Sequence, residues 1–537
     1  MTSPTQPRAR DAAHDLGAHE PAPGAVATSS DALAPAGPAF ADQSQPGFRA
    51  AMDLAARRLG GMVLAANDEF FGPKEALLDP SPPVYDVDAY YDRGKVMDGW
   101  ETRRRRDEGV DTAVIRLGVA GLVEALVVDT THFRGNAPAA CFLEGASTDG
   151  GAPDGDTDWF PLLDTTAIRP HDRQVLDIDA TTRVTHVRFG IVPDGGVARL
   201  RVLGCPLVDL HAAADPHGRL DLAAAVNGGR AIGCSDEFFS SPHNLIMVGD
   251  SRDMADGWET RRRRGPGEDW AVLELAATGR IDRLELDTTH FKGNHPHRVV
   301  IDGIHAPGAS LSTLDDAAWT TLVEPAPTEP HARHLFTVDA PDPVSHLRLR
   351  VQPDGGVARL RAFGTIDDDG WRRHGVTMLD AAPTTTARAH LLGCCGSERF
   401  VDGMLARRPF GSLDGLLAAA DEVWSGLGSA DHLEAFAAHP RIGERSTSAA
   451  SRREQAGVDG TDQRVLDALD DGNRIYEERF GHVFLIRAAG RSAEQMLAAL
   501  EERLGNDPDT ERRIAAEQQG EITRLRLEHL VRHGVRH

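Results

Sequence analysis

The sequence predicts a multidomain chain: two tandem all-β sandwiches of jelly-roll type, then an all-α helical domain. Three observations predict it. Four motifs recur in the same order in two stretches. Those stretches are built of short β-branched or alternating apolar runs cut by Gly and Pro. Beyond about residue 388 the apolar period changes to that of helices.

The repeat comes first, because an unnoticed duplication distorts every other reading. MDLAARRLGGMVLAANDEFF (52–71) aligns without gaps on LDLAAAVNGGRAIGCSDEFF (220–239). DGWETRRRR stands at 98–106 and 256–264, DTTHFRGN (129–136) answers DTTHFKGN (287–294), and PDGGVARLR is identical at 193–201 and 353–361. The first copy carries extra residues around DPSPPVYDVDAYYDRG. Residues 1–45, rich in Pro, Ala, Ser and Thr, read as a disordered tail, 46–210 and 211–365 as the two sandwiches, 366–388 as a linker and 389–537 as the helical domain. The strands on either side of each Pro-Asp-Gly-Gly predict a β-hairpin. In the helical part Ser412, Ser429 and Ser492 each precede an amphipathic run, where N-caps stand.

Composition narrows the function. A net charge of −24 over 537 residues argues against coating nucleic acid or anionic lipid. Five cysteines with no Cys-x-x-Cys pair read as reduced thiols, and no run is apolar and long enough to span a bilayer. The expectation is a soluble cytoplasmic protein acting on small molecules, without nucleic-acid or membrane partners.

Four consecutive arginines in an acidic chain invite three readings: a nucleic-acid patch, a solvated face, or an anion site. As a strand, the run would turn Arg103 and Arg105 (Arg261 and Arg263 in the second copy) to one side. There they would grip a small carboxylate, with structural ion-pairing as the runner-up. His132 and His290, at a strand end before a Gly-Asn turn, are candidate acid–base groups, against the plainer reading of histidines satisfied by neighbouring Asp and Thr. Glu101 and Glu259 are the matching carboxylates, and Asp68, Glu69, Asp236 and Glu237 weaker ones.

The ordered set DEFF, DGWETRRRR, DTTHFxGN and PDGGVARLR, twice over, resembles the allantoicase family across about residues 46 to 365. The resemblance implies tandem galactose-binding-like jelly rolls that hydrolyse allantoate to ureidoglycolate and urea. Roles for the arginines, histidines and glutamates rest on residue type alone. Allantoate needs a cation for its carboxylate, an acid for the departing urea and a base for water. A second resemblance covers the helical part: AFAAHPRIGERS (435–446), SRREQAG (451–457), RFGHVFLIRAAG (479–490) and EITRLRLEHLV (521–531) are similar to the decarboxylase that turns 2-oxo-4-hydroxy-4-carboxy-5-ureidoimidazoline into (S)-allantoin. It implies His439 as catalytic histidine working with Glu454, Ser451 and Gln455 as substrate binders, and Arg526 of the last helix as a further one. Ser451, Glu454 and Gln455 fall on one helix face by spacing.

No metal or organic cofactor is expected. A homo-oligomer is, and the missing ring-opening step between the two products makes an allantoinase a candidate partner. The competing reading treats the sandwiches as a non-catalytic ligand- or carbohydrate-binding module that recruits the decarboxylase; sugar sites want exposed aromatics, which make up only 5% of this chain.

Overall fold

The computed structural model describes residues 49–537 apart from 93, 149–150, 340–341, 440, 442–462, 489–490 and 536–537. The expected 1–45 tail lies outside the described residues.

Each repeat is a two-layer antiparallel sandwich organised by one 19-residue strand, Asp111–Asp129 in the first copy and Asp269–Asp287 in the second. The front half of Asp111–Asp129 ladders with Val184–Val192 and Met62–Ala66, and its rear half with Arg199–Pro206 and Arg173–Asp177. The strand therefore passes from one layer to the other at Gly121, which pairs with both Val184 and Pro206. Alternate residues along it, Ala113, Ile115, Leu117 and Val119, are buried in the core, as period-two patterning requires. The second copy repeats the arrangement with Val344–Gln352 and Arg359–Ile366.

This topology corrects the hairpin expectation. The strands flanking Pro-Asp-Gly-Gly do not pair with each other. They pair with different halves of the same long strand, so the turn carries the chain between layers. Gly195 and Gly355 sit there at φ 141°, and a Cβ on Gly195 would come within 2.7 Å of the Asn136 carbonyl. Only glycine suits that position.

The arginine run is corrected too. Only Trp100–Glu101 and Trp258–Glu259 are strand; the arginines follow in irregular backbone, so strand alternation does not sort them.

The expected linker 366–388 is helical. Helix α1 (Asp368–Ala381) starts at Asp367, whose carboxylate accepts the Gly370 N–H at 2.8 Å. It is followed by α2 (Thr384–Cys394), α3 (Glu398–Leu405), α4 (Leu413–Ser425), α5 (Ser429–Ala437), α6 (Gln463–Phe480), α7 (Ala493–Arg503) and α8 (Pro508–His533). The sequence signal was an acidic cap followed by Trp371, Val376 and Leu379, hidden by the Thr-rich stretch behind it. Ser412 and Ser492 cap α4 and α7 as expected. Ser429 does not: Gly428 is the cap residue of α5, and its N–H donates to Asp431 at 3.0 Å.

Helix α1 joins the helical part rigidly to the sandwiches. Trp371 stacks on His211 at 3.9 Å, the Arg183 N–H donates to the Ala381 carbonyl at 2.8 Å, and Arg532 of α8 pairs with Asp368 at 2.7 Å. Burial pushes His374, on the same helix, down to about 4, so it stays neutral at physiological pH. Helix α8 lines its buried stripe with Ala515, Ile522, Leu527 and Val531, interrupted by the polar Glu511, Gln519 and Thr523.

The two sandwiches meet at Asp256. Its carboxylate, 5% exposed, takes Arg58 of the first repeat at 3.1 Å, Arg252 at 3.1 Å and Arg359 at 3.2 Å. Burial alone would raise this carboxyl, but the Arg252 and Arg359 hydrogen bonds outweigh it and the net shift is downward. A depressed carboxyl stabilises the fold above its unfolded value, and that contribution disappears as pH falls through the folded value. Asp256→Ala strands the buried Arg359 guanidinium and should destabilise the sandwiches by about 3 kcal/mol. Denaturant titration followed by tryptophan fluorescence checks this, and the gap between variant and parent should narrow below the normal carboxylate range.

Candidate functional sites

In each sandwich the repeated motifs converge at one end. Trp100 and Trp258, fully buried, donate their indole N–H to the carbonyls of Asp68 and Asp236 at 2.8 Å, which pins the Asp-Glu-Phe-Phe loop. Gly99 and Gly196 leave room for the Phe133 ring, which a Cβ would meet at 2.8 and 2.0 Å; Gly257, Gly356 and Phe291 repeat the arrangement. Asn136 donates to Glu101 at 2.7 Å, and Asn294 to Glu259 at 2.6 Å. Burial raises the Glu101 carboxyl above the ordinary range, opposed by the Asn136 bond.

The expected carboxylate clamp is not assembled. Arg103 gives its Nε to Asp68 and Arg261 gives its Nε to Asp236, each at 2.6 Å, and each lies over a phenylalanine, Phe70 or Phe238. Arg105 goes elsewhere, to Asp107 at 2.8 Å and the buried Asp111 at 2.6 Å, and Arg263 pairs with the buried Asp269. The two arginines of a copy thus pair with different carboxylates of the protein itself. Arg104, Arg106, Arg262 and Arg264 are exposed.

His132 and His290 occupy the left-handed region at φ 74° and 75°, and so do His171 and His331 at 53°. Left-handed backbone is uncommon outside glycine, and its recurrence at matched positions of both copies is the kind of strain that marks functional loops. The His132 N–H donates to His171 Nδ1 at 2.9 Å, and the His290 N–H to His331 Nδ1 at 2.8 Å. Sequence reasoning missed His171 and His331. Their signal was the Pro-His-x-Arg that recurs at 170–173 and 330–333.

The copies differ in what surrounds the imidazole. The first copy's extra residues place Tyr85 against His132 with ring centroids 5.5 Å apart, and Lys95 lies 4.8 Å over Tyr85. Among the described residues the His132 ring makes no hydrogen bond. In the second copy His290 Nε2 donates to the Ser251 carbonyl at 2.8 Å. Among the described residues no three His, Cys, Asp or Glu side chains are placed to hold a metal ion.

In the helical part His439 follows α5, and Gln519 and Arg526 of α8 act on its ring. Gln519 donates to Thr523 at 3.1 Å. His439 Nε2 and Gln519 Oε1 are buried with no hydrogen-bond partner among the described residues. Burial, reinforced by the Arg526 charge and opposed by Gln519, pushes His439 down to about 3, so its imidazole is neutral at pH 7. Ser451, Glu454 and Gln455 lie outside the described residues.

With this geometry in hand, comparison with known proteins is direct. Residues 52–207 and 220–367 match the Allantoicase repeat family, and residues 380–528 match OHCU decarboxylase. A probable allantoicase of Pseudomonas fluorescens (strain Pf0-1) is 42% identical over 323 residues, 59% of this chain and 97% of its own length. One from Pseudomonas paraeruginosa (strain DSM 24068 / PA7) is 44% identical over 59% of this chain and 96% of its own. Among solved structures, allantoicase from Saccharomyces cerevisiae is 32% identical with a TM-score of 0.50, covering 58% of this chain and 93% of that one. A second allantoicase structure is 33% identical with a TM-score of 0.51, covering 59% and 94%. The chain belongs to the allantoicase family and carries an OHCU decarboxylase domain behind its two allantoicase repeats.

Proposed function

We propose that this chain is a bifunctional enzyme of urate breakdown. Its β repeats hydrolyse allantoate to (S)-ureidoglycolate and urea. Its helical domain decarboxylates 2-oxo-4-hydroxy-4-carboxy-5-ureidoimidazoline to (S)-allantoin. The observation that carries the reading is the match of both repeats, motif by motif, to a family whose members they cover almost end to end. The binding-module alternative is not favoured, since those relatives are named as enzymes.

In the first repeat, Glu101 and His132 suit the acid–base work. Glu101 is a carboxyl raised by burial and oriented by Asn136, which favours its carrying a proton more than an exposed carboxylate would. The His132 ring makes no hydrogen bond among the described residues and lies in another of the repeated motifs of the same sandwich. Of the two groups, one takes a proton from water as its oxygen attacks the carbon bearing the two ureido groups; the other protonates the departing urea nitrogen. Glu259 and His290 are their counterparts, with the His290 ring anchored on Ser251.

In the helical domain Arg526 binds a substrate carboxylate in this reading and His439 delivers the proton that replaces CO2 on one face. An anionic substrate settling beside His439 offsets the Arg526 charge and raises the imidazole's proton affinity, so its protonation is coupled to binding. In this reading Glu454 works with His439, and Ser451 and Gln455 bind substrate. The protein works in the cytoplasm as a homo-oligomer, and an allantoinase that opens the allantoin ring is its natural associate.

Urea release from allantoate by the purified, metal-stripped chain tests the hydrolase: the expected outcome is turnover without added metal, and folded protein that yields no urea with or without a divalent ion would contradict it. His439→Gln should abolish (S)-allantoin formation, by about a hundredfold or more in kcat, and leave urea release within twofold. With His439 near 3 in the free enzyme, kcat/KM for decarboxylation should show no inflection at the ordinary histidine value of about 6.5; a pH–rate profile from 5 to 8 reads this directly.

A further inference from the structure

Arg103 and Arg105 are engaged by carboxylates of the protein, and a contact in the histidine loops offers a different holder for the substrate's carboxylate. His171 Nδ1 accepts the His132 backbone N–H at 2.9 Å. An amide N–H is a donor in every state, so Nδ1 carries no proton and the proton of the neutral ring sits on Nε2. Yet Nε2 lies 2.9 Å from Nη2 of Arg134, a group that can only donate. Two donors therefore face one another at hydrogen-bond distance, and neither satisfies the other. An acceptor bridging them satisfies both, and a carboxylate suits that role because it takes one donor on each oxygen.

The second repeat has the same parts. His331 Nδ1 accepts the His290 N–H at 2.8 Å, which leaves the proton on Nε2, and the position of Arg134 is held by Lys292. Neither Arg134 nor Lys292 forms an ion pair among the described residues. All four histidines keep a left-handed backbone. Arg103, Arg105, Arg261 and Arg263, by contrast, are committed to carboxylates of the protein.

We propose that Arg134 and His171 hold the carboxylate of the first repeat's substrate, with Lys292 and His331 as the equivalent pair in the second. The inference rests on the allantoicase reading and assigns the substrate-recognition residues within it. Holding the carboxylate there sets the substrate's central carbon beside the His132 ring, whose backbone makes the bond that fixes His171.

The test uses the full chain with urea release measured across allantoate concentrations and (S)-allantoin formation as an internal control of folding. Arg134→Gln with Lys292→Gln should raise KM for allantoate about tenfold or more while kcat stays within about twofold, because a uniform binding contact is removed. His171→Asn with His331→Asn, chosen because asparagine tolerates the left-handed backbone, should raise KM in the same direction. Arg104→Gln with Arg262→Gln should leave KM unchanged. Unchanged KM in the first two variants, or a rise confined to the Arg104/Arg262 variant, overturns the assignment. A parent chain that forms (S)-allantoin but releases no urea overturns the allantoicase reading itself, and the assignment with it.

Discussion

The Phe133 ring, seated where Gly99 and Gly196 leave space for it, ties together three segments far apart in the chain. A methyl group on either glycine would collide with that ring, so the Asp-Gly-Trp, Thr-His-Phe and Asp-Gly-Gly stretches must change together or not at all. Close packing of this kind tolerates almost no added volume. Around the ring the remaining letters find fixed partners: Asp98 takes the buried Arg199 at 2.7 Å, Thr102 accepts the Gly195 N–H at 3.1 Å, and Arg103 and Arg105 secure two neighbouring loops. The nine-residue block that looks like a charged patch is mostly the frame of a loop platform. The second repeat builds the same frame around Phe291.

Much of this was legible before any coordinates. The duplication, the sandwich class and the helical third follow from repeats and from the change of apolar period, and both family resemblances hold. What the sequence concealed has physical causes. A hairpin signal around Pro-Asp-Gly-Gly is local, whereas pairing is decided by the long strand that both flanking segments join. Four arginines in a row carry no mark of their partners: Asp68 lies 35 residues before Arg103, and Asp111 six after Arg105. His171 and His331 escaped notice because their importance lies in backbone conformation and in the direction of one ring proton. Helix α1 was missed because its cap and apolar spacing run into a Thr-rich stretch that reads as loop.

The two catalytic regions solve opposite electrostatic problems. In the helical domain burial and Arg526 keep His439 neutral until an anion arrives. In the sandwich, burial holds Glu101 closer to neutrality while the His132 ring stays partly exposed beside Tyr85. The repeats also show how a duplicated site drifts while its motifs persist. The loop that brings Tyr85 to His132 has no counterpart in the second copy, where the Ser251 carbonyl accepts a hydrogen bond from the imidazole instead. Identical motifs therefore frame unequal sites.

The central claim is that the arginine runs build the platform while substrate is recognised by the histidine loops. The most direct measurement is a crystal structure of the chain, with Glu101→Gln to slow turnover, soaked with allantoate. The account predicts the allantoate carboxylate between Arg134 and His171 Nε2, with Arg103 still on Asp68 and Arg105 still on Asp111. A carboxylate bound instead by Arg103 and Arg105, with those internal pairs broken, would contradict it.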